Sequence, residues 1–130
     1  MMSGATREIW HMPHMSQEFE RGPEVSLAGG KLTVRYDYET VQGPYAWSGF
    51  AFDEVQAFEF VGERLCQEEQ FAALDKVVEV TKSSWESRAR TNVSTGHDAR
   101  LRHYRIYFDD YGCLEILANA FIPPEGASER

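Results

Sequence analysis

A chain of 130 residues, 42% hydrophobic and 13% aromatic, is long enough for one domain with its own core and too apolar to stay disordered. Its 13 Lys and Arg stand against 21 Asp and Glu, for a net charge of −8. That balance argues against phosphate-driven binding to DNA or RNA and against anionic membrane surfaces, and it favours solubility and a basic protein partner.

Residues 1–24 are polar and methionine-rich, without clean periodicity, and read as a loosely ordered arm ahead of a single domain over 25–130. Trp10 and Phe19 are the side chains that would pin it. "HMPHM" places His11 and His14 three apart, but Pro13 breaks the helix that would align them, and no third ligand is evident. No metal and no cofactor are expected. The arm has no apolar signal core, and no run in the chain approaches the roughly 20 apolar residues of a membrane span. Cys66 and Cys113 match no metal or redox spacing and read as reduced thiols of a cytoplasmic protein.

Gly29-Gly30 marks a turn, after which the period is two. Leu32, Val34, Tyr36 and Tyr38 share one strand face, and Thr33, Arg35 and Asp37 the other. "YAWSGFAF" reads as a second strand, with Ala46, Ser48, Phe50 and Phe52 on one face. Gly49 inside it signals a bulge or a close backbone approach. "VQAFEFV" reads as a third strand. The three are expected to form an antiparallel meander. In "CQEEQFAALDKVVEV" the period changes: Phe71, Leu74, Val77 and Val78 make one helical stripe, so the main helix is expected here. Its β-branched tail, Val77 to Val80, also fits a short strand. "SSWESRAR" suggests a further helical turn capped by Ser83 or Ser84 and anchored by Trp85, and "TNVSTGHDAR" is loop chemistry.

"RHYRIYFDDYGCLEILANAF" reads as a closing hairpin. With Asp110-Tyr111-Gly112 as its loop, Phe108 faces Leu114, Ile106 faces Ile116 and Tyr104 faces Ala118. The other face carries His103, Arg105, Tyr107, Cys113, Glu115 and Asn119. Cys113 sits by the turn and His103 far along the strand, so a thiol–imidazole pair is not expected. An Arg105–Glu115 cross-strand ion pair accounts for the charges. No phosphate-binding, zinc-protease or nucleophile-elbow motif occurs, and no catalytic residue is assigned. The aromatics Tyr36, Trp47, Phe50, Phe52, Phe58 and Phe60 suit a sheet packed on a helix, and alternatively the lining of a ligand pocket.

The segments "WSGFAF", "VQAFEF", and "LDKVVEVTKSSW" through "LRHYRIYFDDYGCLEILANAF" resemble a family of small bacterial α+β proteins, over about the last two-thirds of the chain. The resemblance carries neither an activity nor a residue role. The expected fold is therefore α+β: a three-stranded meander and a C-terminal hairpin packed with one main helix. The expected function is non-catalytic protein binding of an immunity-like kind, with a homodimer through an exposed sheet face or edge also compatible. The alternative is a small-molecule-binding domain or enzyme with an aromatic-lined pocket. The candidate binding residues are His103, Arg105, Tyr107, Asp109, Asp110, Tyr111, Glu115, Trp47 and Tyr36.

Overall fold

The computed structural model describes residues 5–85 and 101–125. Nine strands among them form two antiparallel sheets: β1 (Thr6–His11), β2 (Glu24–Ala28), β3 (Lys31–Glu39), β4 (Tyr45–Asp53), β5 (Ala57–Gly62), β6 (Lys76–Val80), β7 (Arg102–Phe108), β8 (Gly112–Ala118) and β9 (Ala120–Ile122). One sheet runs β2-β3-β4-β9 and the other β1-β6-β7-β8-β5.

The period-two runs explain the pairing. In β3 and β4, Leu32 lies opposite Phe52 and Val34 opposite Phe50, all turned to one side and all buried. In β7 and β8, Ile106 lies opposite Leu114 and Tyr104 opposite Ile116, again on one buried side. These two apolar faces pack on each other as the core, with Met12, Phe19 and Val77 at its margins. Each strand contributes alternate residues, so burial selects one register and opposes a one-residue slip.

Gly49 is a point of close approach between β4 and β3. A Cβ there would stand 2.5 Å from the Val34 carbonyl oxygen, so only glycine fits without a shift of backbone.

The α+β expectation is corrected: the described residues form a two-sheet β structure, with no main helix among them. The helix expected over 66–80 shrinks to one turn, Glu68–Phe71. Its first-turn Glu68 and Glu69 suit the amino end, and Gln67 and Gln70 cap it reciprocally. Asp75, with φ at +57°, then turns the chain. The backbone of residues 73–75 is taken by β7: Asp75 N–H donates to Tyr107 O at 2.9 Å, and Tyr107 N–H donates to Ala73 O at 3.0 Å. The β-branched tail with its ambiguous period becomes β6. There Val77 and Val78 point to opposite sides and both are buried, which a helical stripe would not allow.

The meander is corrected too. β3 and β4 pair, but β5 leaves them and joins β8, with Phe58 opposite Ile116 and Phe60 opposite Leu114.

Part of the stretch expected as a loose arm is β1, paired with β6 from Thr6–Val80 to His11–Lys76. The segment after it is tied by carboxylates of later elements. Asp75 accepts the Ser16 N–H, and Asp37 accepts the N–H groups of Glu20 and Arg21. His14 donates or accepts through Nδ1 to the Tyr36 hydroxyl at 2.9 Å and stacks on Tyr38, so it is engaged away from His11.

The hairpin forms, with its register moved by two. Phe108 pairs with Gly112, Tyr107 with Cys113 and Arg105 with Glu115. Asp110 adopts the left-handed conformation, at φ +71°. Aspartate tolerates that region, so the loop closes over residues 109–111. A shift of two keeps every side chain on its expected face. The helical turn expected over 83–90, beyond Trp85, and the loop over 91–100 lie outside the described residues. Among the described residues no helix is long and apolar enough to cross a membrane.

Candidate functional site

The outer face of the five-stranded sheet, away from the core, carries charged and polar side chains that are nonetheless buried. Arg105 is 1% exposed, Glu115 5% and His103 5%. The turn at 63–71 and residues 83–85 cover them. The amphipathic alternation of β7 and β8 puts apolar residues on the core side, so the polar ones must gather here.

Glu115 is the centre. Its Oε2 accepts Arg105 Nε–H at 2.9 Å and Gln70 Nε2–H at 2.8 Å, and its Oε1 meets His103 Nε2 at 2.5 Å. Burial alone would raise the carboxyl pKa. The bonds from His103 and Gln70 and the Arg105 charge outweigh it and hold Glu115 below the ordinary carboxylate range. An ionised acceptor requires the proton on His103 Nε2. Nδ1 of the same ring is then left over, buried and without a hydrogen-bond partner among the described residues. The Trp85 ring stands edge-on to the imidazole, with centroids 5.2 Å apart.

Cys113 completes the layer. Its Sγ is 3.6 Å from Glu115 Oε2, and burial, reinforced by the Glu115 charge, pushes the thiol pKa far up. A thiol so held is a small apolar side chain and not a nucleophile. Cys66 is also free, its pKa raised first by burial. Tyr107 donates its hydroxyl to Glu63 Oε2 at 2.9 Å; burial and that carboxylate raise its pKa strongly.

Above this layer lies a half-open pocket of about 370 Å3. Val61, Leu65 and Trp85 give it apolar walls, His103 and Glu115 reach its floor, and Glu59 stands at its rim.

The structure thus brings His103, Arg105, Glu115 and Tyr107 to one face, all buried. Asp109 and Tyr111 are half-buried and Asp110 is exposed, at the hairpin tip. Tyr36 and Trp47 are elsewhere. Tyr36 is sealed in the core against Phe19, and Trp47 lies on the outside of the other sheet under the Arg35 guanidinium, 4.3 Å away. Gln70, Glu59, Val61 and Trp85 are not among the expected site residues. The capping box at Gln67–Gln70 is a local signal for the turn, but nothing local pairs Gln70 with Glu115, 45 positions away. Glu63, Asp109 and Asp110 bring three carboxylates within metal-ligating distance of one another at the hairpin tip; the Glu63 carboxylate already accepts the Tyr107 hydroxyl.

The chain matches no family model, no curated protein and no solved structure. The function is therefore argued from the site itself.

Proposed function

We propose that this is a small-molecule-binding domain whose ligand has a cationic or strongly hydrogen-bond-donating head and a short apolar body. The observation that carries the reading is the pocket of about 370 Å3 with a carboxylate at its rim and an aromatic wall: Glu59 at the rim, Trp85 at the side, and the Glu115–Arg105 pair closing the floor. An ammonium between Glu59 and the Trp85 ring gains from both the charge and the ring quadrupole. Val61 and Leu65 take the apolar part. Gln67, Gln70, Ser83 and Ser84 complete a largely polar lining, and placed polar groups of this kind fix a ligand's orientation.

The reading is of binding and not of turnover. Glu115 is saturated by three donors, and His103 Nε2 is one of them. Neither is set to move a proton onto a bound molecule. Of the residues expected to bind a protein partner, Glu115 and Arg105, 5% and 1% exposed, are not placed for it, whereas Asp109, Asp110 and Tyr111 at the hairpin tip are half-buried or exposed. A cytoplasmic setting accords with the two free thiols.

Calorimetry with size-matched panels of amines and carboxylates tests this. Amines should bind, carboxylates should not, and Glu59→Gln should weaken the amines several-fold. Equal binding of both panels, or indifference to Glu59→Gln, would overturn the assignment.

A further inference from the structure

The two margins of the sheet pair are built differently. Along β1 and β9, Trp10 packs on Phe121 at 5.4 Å and on Phe50 at 5.2 Å, and the gap between the sheets is filled. Along β2 and β5, both terminal strands in their sheets, it is open. Val25 and Leu27 lie opposite core residues Val34 and Leu32, and Phe58 and Phe60 lie opposite Ile116 and Leu114. All four therefore point into the space between the sheets. Yet they are 37%, 51%, 42% and 47% exposed. A groove of about 450 Å3 runs between Val25, Phe58, Phe60, Tyr111 and Leu114. Contiguous apolar surface of this kind marks an interaction site more often than a bare surface.

Among the described residues, β5 also has an outer backbone edge that pairs with no other strand. Glu63 N–H donates to Tyr111 O, in line with the ladder that pairs Val61 with Cys113 and Glu59 with Glu115. By antiparallel alternation Ala57, Glu59 and Val61 turn their backbone groups to β8, and Phe58 and Phe60 turn theirs outward. The strand carries none of the usual edge protection: no proline, no lysine and no inward-pointing charge.

We propose that β5 docks an extended segment of a protein partner, added as a further strand, with the pattern apolar–basic–apolar. The two apolar side chains enter the groove over Phe58 and Phe60. The basic one falls beside Glu59, at a position where cross-strand side chains lie closest. Charge selects this occupant. Glu59 is exposed on β5, Asp110 is exposed beside the groove, and the chain carries −8 overall. A second copy of the chain is disfavoured at the same edge: setting Phe58 against Phe60 of another β5 places Glu59 directly against Glu59, and like charges directly opposite are destabilising. The groove over Phe58 and Phe60 is separate from the ligand pocket, and Glu59, at the pocket rim, is the residue that the docking edge and the pocket share. The proposal stands whether or not that pocket binds a small molecule, because the groove and the β5 edge do not depend on it.

The test uses short synthetic strands of alternating valine and lysine, the same strands with glutamate for lysine, and a lysine strand N-methylated on the backbone nitrogens of one edge. Binding is followed by amide chemical shifts of the full chain. The lysine strand should perturb the amides of Phe58, Phe60 and Gly62 and bind about tenfold tighter than the glutamate strand. N-methylation of the pairing edge should abolish binding, and Glu59→Lys, an exposed substitution, should reverse the charge preference. Equal binding of the two strands, indifference to N-methylation, perturbation confined to β2, concentration-dependent self-association through Phe58 and Phe60, or no binding at all would each overturn the proposal.

Discussion

Removing the Arg105 guanidinium tests whether the buried polar layer is a coupled unit. Arg105 and Glu115 side chains are 1% and 6% exposed and meet at 2.9 Å. With Arg105→Met, Glu115 loses the guanidinium counter-charge and remains buried. Breaking a buried pair from one side costs about 3–5 kcal/mol. At roughly 3–5 °C per kcal/mol for a chain of this size, the Tm should fall by about 10–20 °C. Glu115→Gln should fall in the same range, because it strands the guanidinium instead. The double variant Arg105→Met/Glu115→Gln removes both charges, so neither is left buried without its partner. Its loss should be smaller than the sum of the two singles by about 2 kcal/mol or more. The assay is urea unfolding of the four proteins at pH 7. Single losses under about 1 kcal/mol that simply add would refute the coupling. The pH dependence gives the sign a second check. The folded pKa of Glu115 lies below the ordinary value of 4.5. Its stabilisation is therefore present above that value and fades as pH falls through the folded pKa. Below that ordinary value the stability of Glu115→Gln should fall less steeply than that of the parent.

Three further outcomes follow from the packing. Ile106, fully buried between the sheets, should lose about 2–5 kcal/mol on Ile106→Ala, read by the same unfolding curves. Gly49→Ala should lose about 1–3 kcal/mol without any side-chain contact being removed, because the new Cβ meets the Val34 carbonyl oxygen; a neutral result would mean the β3–β4 spacing is wrong. Thiol labelling of the native protein should modify Cys66 and leave Cys113 untouched until urea unfolds the chain; equal rates for the two would contradict the buried layer.

Strands with long period-two patterns are legible in the amino-acid sequence alone. β3, β4, β7 and β8 alternate over seven to nine residues, and their core faces are the ones expected. The failures have physical causes. Lys76–Val80 carries a run of valines that matches both a buried strand and a helical stripe, and only pairing with β1 and β7 decides between them. β9 has three residues, too few for any period to register. β5 reads as a strand, but its partner residues lie fifty to sixty positions away, so neighbours in sequence do not assign its sheet. The hairpin faces are legible and its register is not, because a left-handed Asp110 and a left-handed glycine close loops that differ by two in pairing. The Arg105–Glu115 ion pair reads from the sequence as a surface contact. Its burial depends on a cover from residues 67–70 and 83–85 that no local pattern announces.

The pocket over His103 and Glu115 is the feature on which the function rests, and a small aromatic amine titrated against the amide and indole chemical shifts probes it most directly. Saturable shifts are expected at Trp85, Glu59, Val61 and His103, with β2 and the Phe58–Phe60 groove unmoved. Shifts confined to that groove, or none up to the solubility of the amine, would contradict the assignment of the pocket as a ligand site.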